Sequence, residues 1–260
     1  MNRIWGHTLS TAILALAAGS AFPACVHNDG SLFVDGVLFP PTPAGGICTY
    51  TASPTAQALS RGLVDAALTD SYTPFFLVGS ALIAQGAAAT PQAETSRLTL
   101  QGVDVRVVDP VDNSQWMNAD VLTAATIEPA SGSTPSYVAL AASIMDATAI
   151  AHFNPQGSTS GSKLAEVYVK FYGTTLGGQY IESDEFLYPV DVCYGCLVSF
   201  PPGALVTYAP TANPPVVKSA YCSGAVAATT TTVPCIIGQD QPVDCQACYD
   251  LSSACSGLIQ

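Results

Sequence analysis

Cysteine sets the strongest limit on what this 260-residue chain can fold into. There are nine: Cys25, Cys48, Cys193, Cys196, Cys222, Cys235, Cys245, Cys248 and Cys255. Seven of them are crowded between Cys193 and Cys255. Outside the cytoplasm such a set closes into bridges, whereas in a reducing compartment it would more readily bind metal or do redox chemistry. Nine is odd, so one cysteine must be free, joined to another chain or modified. The compartment therefore decides the fold.

The amino end points to export. Arg3 supplies a positive start, the run Ile13-Leu14-Ala15-Leu16-Ala17-Ala18 is apolar, and small residues follow at Gly19-Ser20-Ala21. That is the layout of a secretory signal over residues 1–24. A membrane span needs about 20 strongly apolar residues, and this stretch is diluted by Ala, Gly and Ser and ended by Pro23. Segments 75–89 and 139–151 are also too short, and Gln85 and Asp146 interrupt them. Cys25 follows the signal directly, where bacterial lipoproteins carry their acylated cysteine. Setting it aside leaves eight cysteines for bridges: Cys48, Cys193, Cys196, Cys222, Cys235, Cys245, Cys248 and Cys255. Phe22-Pro23-Ala24 departs from the usual Leu and small residues before such a cysteine. A cut after Ala21 would instead leave Cys25 an ordinary thiol. Lipidation at Cys25 is the expectation, and Val26 in place of Asp favours the outer membrane; secretion without an anchor is the alternative. Several acyl chains, each worth roughly 0.8 kcal/mol per buried methylene, would hold the protein on a membrane.

Once Arg3 leaves with the signal, six Lys/Arg face 19 Asp/Glu. Such a surface repels nucleic acid and anionic lipid, so no nucleic-acid partner is expected. Charged residues are only 10% of the chain and its mean hydropathy is positive, which excludes disordered composition.

Residues 25–192 have the texture of short strands between Pro and Gly. Segments 31–38, 59–68 and 72–83 are candidates, the last with the apolar run Phe75-Phe76-Leu77-Val78. In segment 97–108 the alternation Leu98/Leu100 gives way to Val103/Val105/Val107. The phase slips by one at Gln101-Gly102 and predicts a bulge there. Segment 163–176 should bury Leu164, Val167, Val169 and Phe171. Gly177-Gly178 then turns the chain into 180–190 to make a hairpin. Segment 137–153 is ambiguous, its alanines favouring helix and its setting strand; we read strand. The fold class is therefore all-β, an immunoglobulin-like or similar Greek-key sandwich. Residues 193–260 form a cysteine-rich tail without the periodicity for its own core, so bridges must hold it together. Cys48 stands alone in the amino-terminal half and should reach a tail cysteine.

Several short runs together resemble secreted lipoproteins of myxobacteria and related bacteria. They are Cys25 with Asn28 and Ser31-Leu32-Phe33, then Leu77-Val78-Gly79-Ser80, Glu94-Thr95 with Arg97, and the tail run from Cys235-Ile236-Ile237-Gly238-Gln239-Asp240 to Cys245-Gln246-Ala247-Cys248. The resemblance implies secretion and lipidation and brings no catalytic residue.

Catalytic and cofactor motifs are sparse. Cys193-Tyr194-Gly195-Cys196 and Cys245-Gln246-Ala247-Cys248 could grip zinc or exchange disulfides, but export favours bridges. His27 lies in a leader near the mature terminus, and His152 is either a base or simply a loop residue before Asn154-Pro155. Ser158, Ser160 or Ser162 would be its nucleophile, but Thr159 stands where an elbow serine belongs. Carboxylates cluster at Asp109/Asp112, Glu182/Asp184/Glu185 and Asp240/Asp244, compatible with a glycosidase pair or, in the loop from Asp109 to Asn113, with calcium. The expectation is an exported binding or structural protein of the envelope, with no catalysis, metal or cofactor, and a protein or small molecule as ligand. A hydrolase using His152 or a thiol oxidoreductase using a Cys-x-x-Cys pair is the alternative.

Overall fold

The computed structural model describes residues 30–44, 47–84, 95–156, 161–200, 206–209, 216–219, 222 and 233–251. Most of these lie in strands, and the chain is all-β as its punctuation predicts. One sheet holds β1 (Leu32–Leu38), β2 (Ala58–Leu59), β4 (Phe75–Ser80) and β7 (Ser136–Ala141), in the order β2-β1-β4-β7. The other holds β3 (Gly62–Asp65), β5 (Leu98–Val108), β6 (Gln115–Ile127), β8 (Ser162–Thr175), β9 (Tyr180–Glu182) and β10 (Phe186–Cys193). Its order is β3-β10-β8-β5-β6, with β9 also pairing β8. All pairings in this sheet are antiparallel except β3 with β10.

The sheets share one core. Val37, Phe76, Val78 and Leu140 come from the first, and Val103, Val105, Val169, Phe171 and Val190 from the second. The rings of Phe76 and Phe171 meet edge-on across the gap, with centroids 5.3 Å apart. The phase slip in β5 is a bulge, because its register shifts between Leu100 and Gly102 against both neighbours. Gln101 takes up the extra position, so Leu98, Leu100, Val103, Val105 and Val107 all stay buried. In β8 the buried row runs Ala165, Val167, Val169, Phe171, whereas Leu164 sits on the opposite parity, half-exposed. The expected burial of Leu164 was wrong by one residue.

Segment 137–153 is not one strand. Its first half is β7, and the second is the helix α1 (Ala147–Phe153). Asp146 accepts the Ala149 N–H at 2.9 Å and caps the helix, which lets the alanine-rich run wind. Ile150 and Phe153 then plug into the core. The strand β6 falls in a stretch that alternation does not mark, since its inner positions are small or half-exposed.

The tail contributes β11 (Val198–Ser199), β12 (Val206–Ala209), β13 (Val216–Ser219), β14 (Val243–Asp244) and the helix α2 (Cys245–Leu251). Its small core consists of Cys222, Val243, Cys245, Ala247 and Cys248, so sulfur replaces the aliphatic side chains it lacks. Among the described residues no helix is long and apolar enough to cross a membrane.

Candidate functional site

Sulfur ties the tail to the sandwich. Cys48 bonds Cys235 across 187 residues, as its isolation in the sequence predicts. Cys193 bonds Cys196, Cys222 bonds Cys245, and Cys248 is also disulfide-bonded. Cys25 and Cys255 lie outside the described residues. The two Cys-x-x-Cys pairs therefore do not form a four-thiolate zinc site: one is closed on itself, and Cys245 of the other is bonded to Cys222.

Beneath the Cys193–Cys196 loop lies Asp65, fully buried at the end of β3. Its carboxylate accepts N–H groups of Ala67 (3.0 Å), Gly195 (2.6 Å) and Leu197 (2.9 Å). Asp65 and the two sulfurs stand within 4.8 Å of one another. With both sulfurs bonded and the carboxylate occupied by three amides, the group acts as a brace for the turn. Gly195, at φ 73°, supplies the left-handed residue the turn needs.

His152 lies in the last turn of α1 and not in a loop. Its Nε2 meets Asp109 Oδ2 at 2.8 Å, and Trp116 stacks on the ring with centroids 3.6 Å apart. Asp109 also accepts the Val111 N–H, and Asp112 accepts the Ser114 N–H, so both carboxylates are turned into their own loop. This arrangement pins α1 to the β5–β6 turn. Of the candidate nucleophiles, Ser162 is exposed at the start of β8, and Ser158 and Ser160 lie outside the described residues, as does His27.

Two of the three carboxylates of the Glu182 cluster, those of Glu182 and Glu185, are engaged in ion pairs at the larger sheet. Glu182 takes Lys170 and the Tyr180 hydroxyl, and Glu185 takes Arg106 at 2.8 Å. Tyr172 donates to Asp120 at 2.5 Å, which with partial burial pushes its hydroxyl up to about 12.

The remaining pair, Asp240/Asp244, opens onto a cleft. Residues 236–241 run along the free edge of β3: Asp65 N donates to Gly238 O (2.9 Å), Asp240 N donates to Leu63 O (2.8 Å), and Leu63 N donates to Asp240 Oδ1 (2.9 Å). Gln239 reaches the other side, taking the Thr73 N–H and donating to Ser71 O. Gln241 donates to Pro40 O at 3.0 Å and so ties the tail to the chain leaving β1. Between these segments is a space of about 500 Å³, lined among the described residues by Phe39, Thr42, Pro43, Ser199, Pro234, Asp240, Gln241, Pro242 and Asp244.

At its floor, both oxygens of Asp240 accept the Tyr72 hydroxyl at 2.9 Å. Tyr72 is wholly buried, with its ring passing over Gly62 where no Cβ would fit, and its hydroxyl lies 3.4 Å from that of Tyr188. Burial pushes Asp240 up to about 6; the Leu63 amide and the Tyr72 hydroxyl offset only part of that. Burial likewise raises Tyr72 and Tyr188, and Tyr50 less strongly, with the Asp240 charge adding to each. A desolvated carboxylate in a cleft, held by neutral hydroxyls and an amide, is the most perturbed acid among the described residues. It marks the candidate site. The sequence flagged Asp240 and Asp244 only as a pair of acids; nothing in it pointed to Tyr72, Tyr188 or Phe39.

No protein-family model matches the chain, and no curated protein matches it.

Proposed function

We propose that this chain is an exported protein of the cell envelope, held at the outer membrane by lipid on Cys25, and that it works by binding and not by catalysis. Sulfur chemistry carries the reading. All seven described cysteines are oxidised, a state that persists where cytosolic reductants do not reach. Nine cysteines cannot all pair within one chain, so one remains outside the bridges. Cys25 is the position where modification accounts for the odd count. Binding is supported by the Asp240 cleft, whose volume and mixed lining suit a small molecule or the end of a larger one.

Metabolic labelling with a radioactive fatty acid, in cells making the wild type or Cys25→Ala, tests the anchor. Label in the wild type that disappears from the variant is expected. Equal label in both, or none in either, removes it.

A further inference from the structure

We propose that the Asp240 cleft receives an organic ammonium ion, a protonated amine carried on an apolar body. The inference rests on the binding reading above and assigns its ligand class. The walls are Phe39, Pro43, Pro234 and Pro242, and the Phe39 ring is 38% exposed. Such rings favour apolar groups, and an aromatic face also attracts an ammonium ion. The polar lining is made of Asp240, Asp244, Thr42, Ser199 and Gln241, and none of the described lining residues is basic. Arg61, just before β3, is paired with Asp191 at 2.8 Å.

Asp240 therefore sits half-buried with a neutral set of partners. Oδ1 has the Leu63 N–H and the Tyr72 hydroxyl, and among the described residues Oδ2 has that hydroxyl alone. A carboxylate oxygen has lone pairs for more. A cation at Oδ2 would supply the countercharge that burial denies, with Asp244 adding to the same negative field. Anions meet like charge, and neutral ligands leave the carboxylate uncompensated. A bare hydrated metal ion would make no use of the apolar walls.

Proton competition follows. Asp240 titrates near pH 6, whereas Tyr50, Tyr72 and Tyr188 around it stay protonated at neutral pH. At pH 5 about a tenth of Asp240 is ionised, so affinity should fall about tenfold from its value at pH 7.5.

The test is calorimetric titration of the oxidised mature chain with benzylammonium, benzyl alcohol, benzoate and calcium chloride, at pH 7.5 and pH 5. Benzylammonium should bind at least about tenfold more tightly than the other three at pH 7.5 and lose about tenfold at pH 5. Asp240→Asn, matched in size and tolerant of the φ of 55° at this residue, should weaken it by at least about tenfold while circular dichroism stays native. Benzyl alcohol binding as well as benzylammonium would overturn the ammonium assignment and leave the binding reading standing. Calcium binding in preference to the amine, or an Asp240→Asn variant with undiminished affinity, would also overturn it. Binding of no probe would remove both the assignment and the cleft as a binding surface.

Discussion

The Cys48–Cys235 bridge should contribute far more stability than the Cys193–Cys196 bridge, and the difference can be worked from the loops they close. Cross-linking restricts the unfolded chain by an entropy that grows with the logarithm of loop length. For a separation of 187 residues this comes to about 5 kcal/mol at 25 °C. The same relation gives about 2 kcal/mol for the separation of three between Cys193 and Cys196. The double variants Cys48→Ser/Cys235→Ser and Cys193→Ser/Cys196→Ser should be compared by urea unfolding without reductant, the other bridges intact. The first should lose about 4–5 kcal/mol and the second about 2 kcal/mol or less. In a scan, the first loss corresponds to a Tm lower by roughly 10–20 °C for a chain of this size. Equal losses, or a larger one at Cys193/Cys196, would refute the reasoning. Stability would then come from the folded contacts around each bridge and not from the restriction of the unfolded chain.

Asp240→Asn should stabilise the unliganded protein above pH 6. The folded carboxyl titrates at about 6, above its ordinary value, so the folded state holds its proton more tightly. Wild-type stability therefore falls as pH rises from about 4 to 6 and then levels off. The variant lacks this loss and should gain up to about 3 kcal/mol at pH 8 relative to pH 4, read from unfolding midpoints. A variant with the same pH profile as wild type would show that Asp240 is not the titrating group. Two glycines of the larger sheet should respond differently to alanine. A Cβ at Gly173 would stand 2.3 Å from the Thr99 carbonyl oxygen, which the β5–β8 ladder holds in place, whereas at Gly102 it would meet the movable Tyr172 side chain. Gly173→Ala should cost about 2 kcal/mol or more in urea unfolding and Gly102→Ala less; the reverse order would show that the Tyr172 ring is the more rigid neighbour.

The strands with strict alternation were legible from the chain, and so was the bulge at Gln101, because a phase slip in an otherwise regular pattern has few other meanings. β6 was not legible: as an edge strand it has one open face and one only half-covered, and Ala119, Ala124 and Ala125 blur its period. Segment 137–153 was misread because a short helix set by one capping aspartate looks like strand sequence to a longer window. The reach of Cys48 into the tail followed from its isolation. The cleft could not be foreseen. Its walls come from three separated stretches of chain, around Phe39, Ser199 and Asp240, and its electrostatics depend on the burial of Tyr72, which alternation does not encode.

The strip that covers β3 is synthesised long after β3 itself: Asp240 follows Leu63 by 177 residues. Until the last part of the chain arrives, the amide and carbonyl groups along that rim have no cover, and a bare rim is a template for a second copy. A product cut short before Gln239 would keep the sandwich's hydrophobic strands yet leave this edge of β3 open to pairing with another chain.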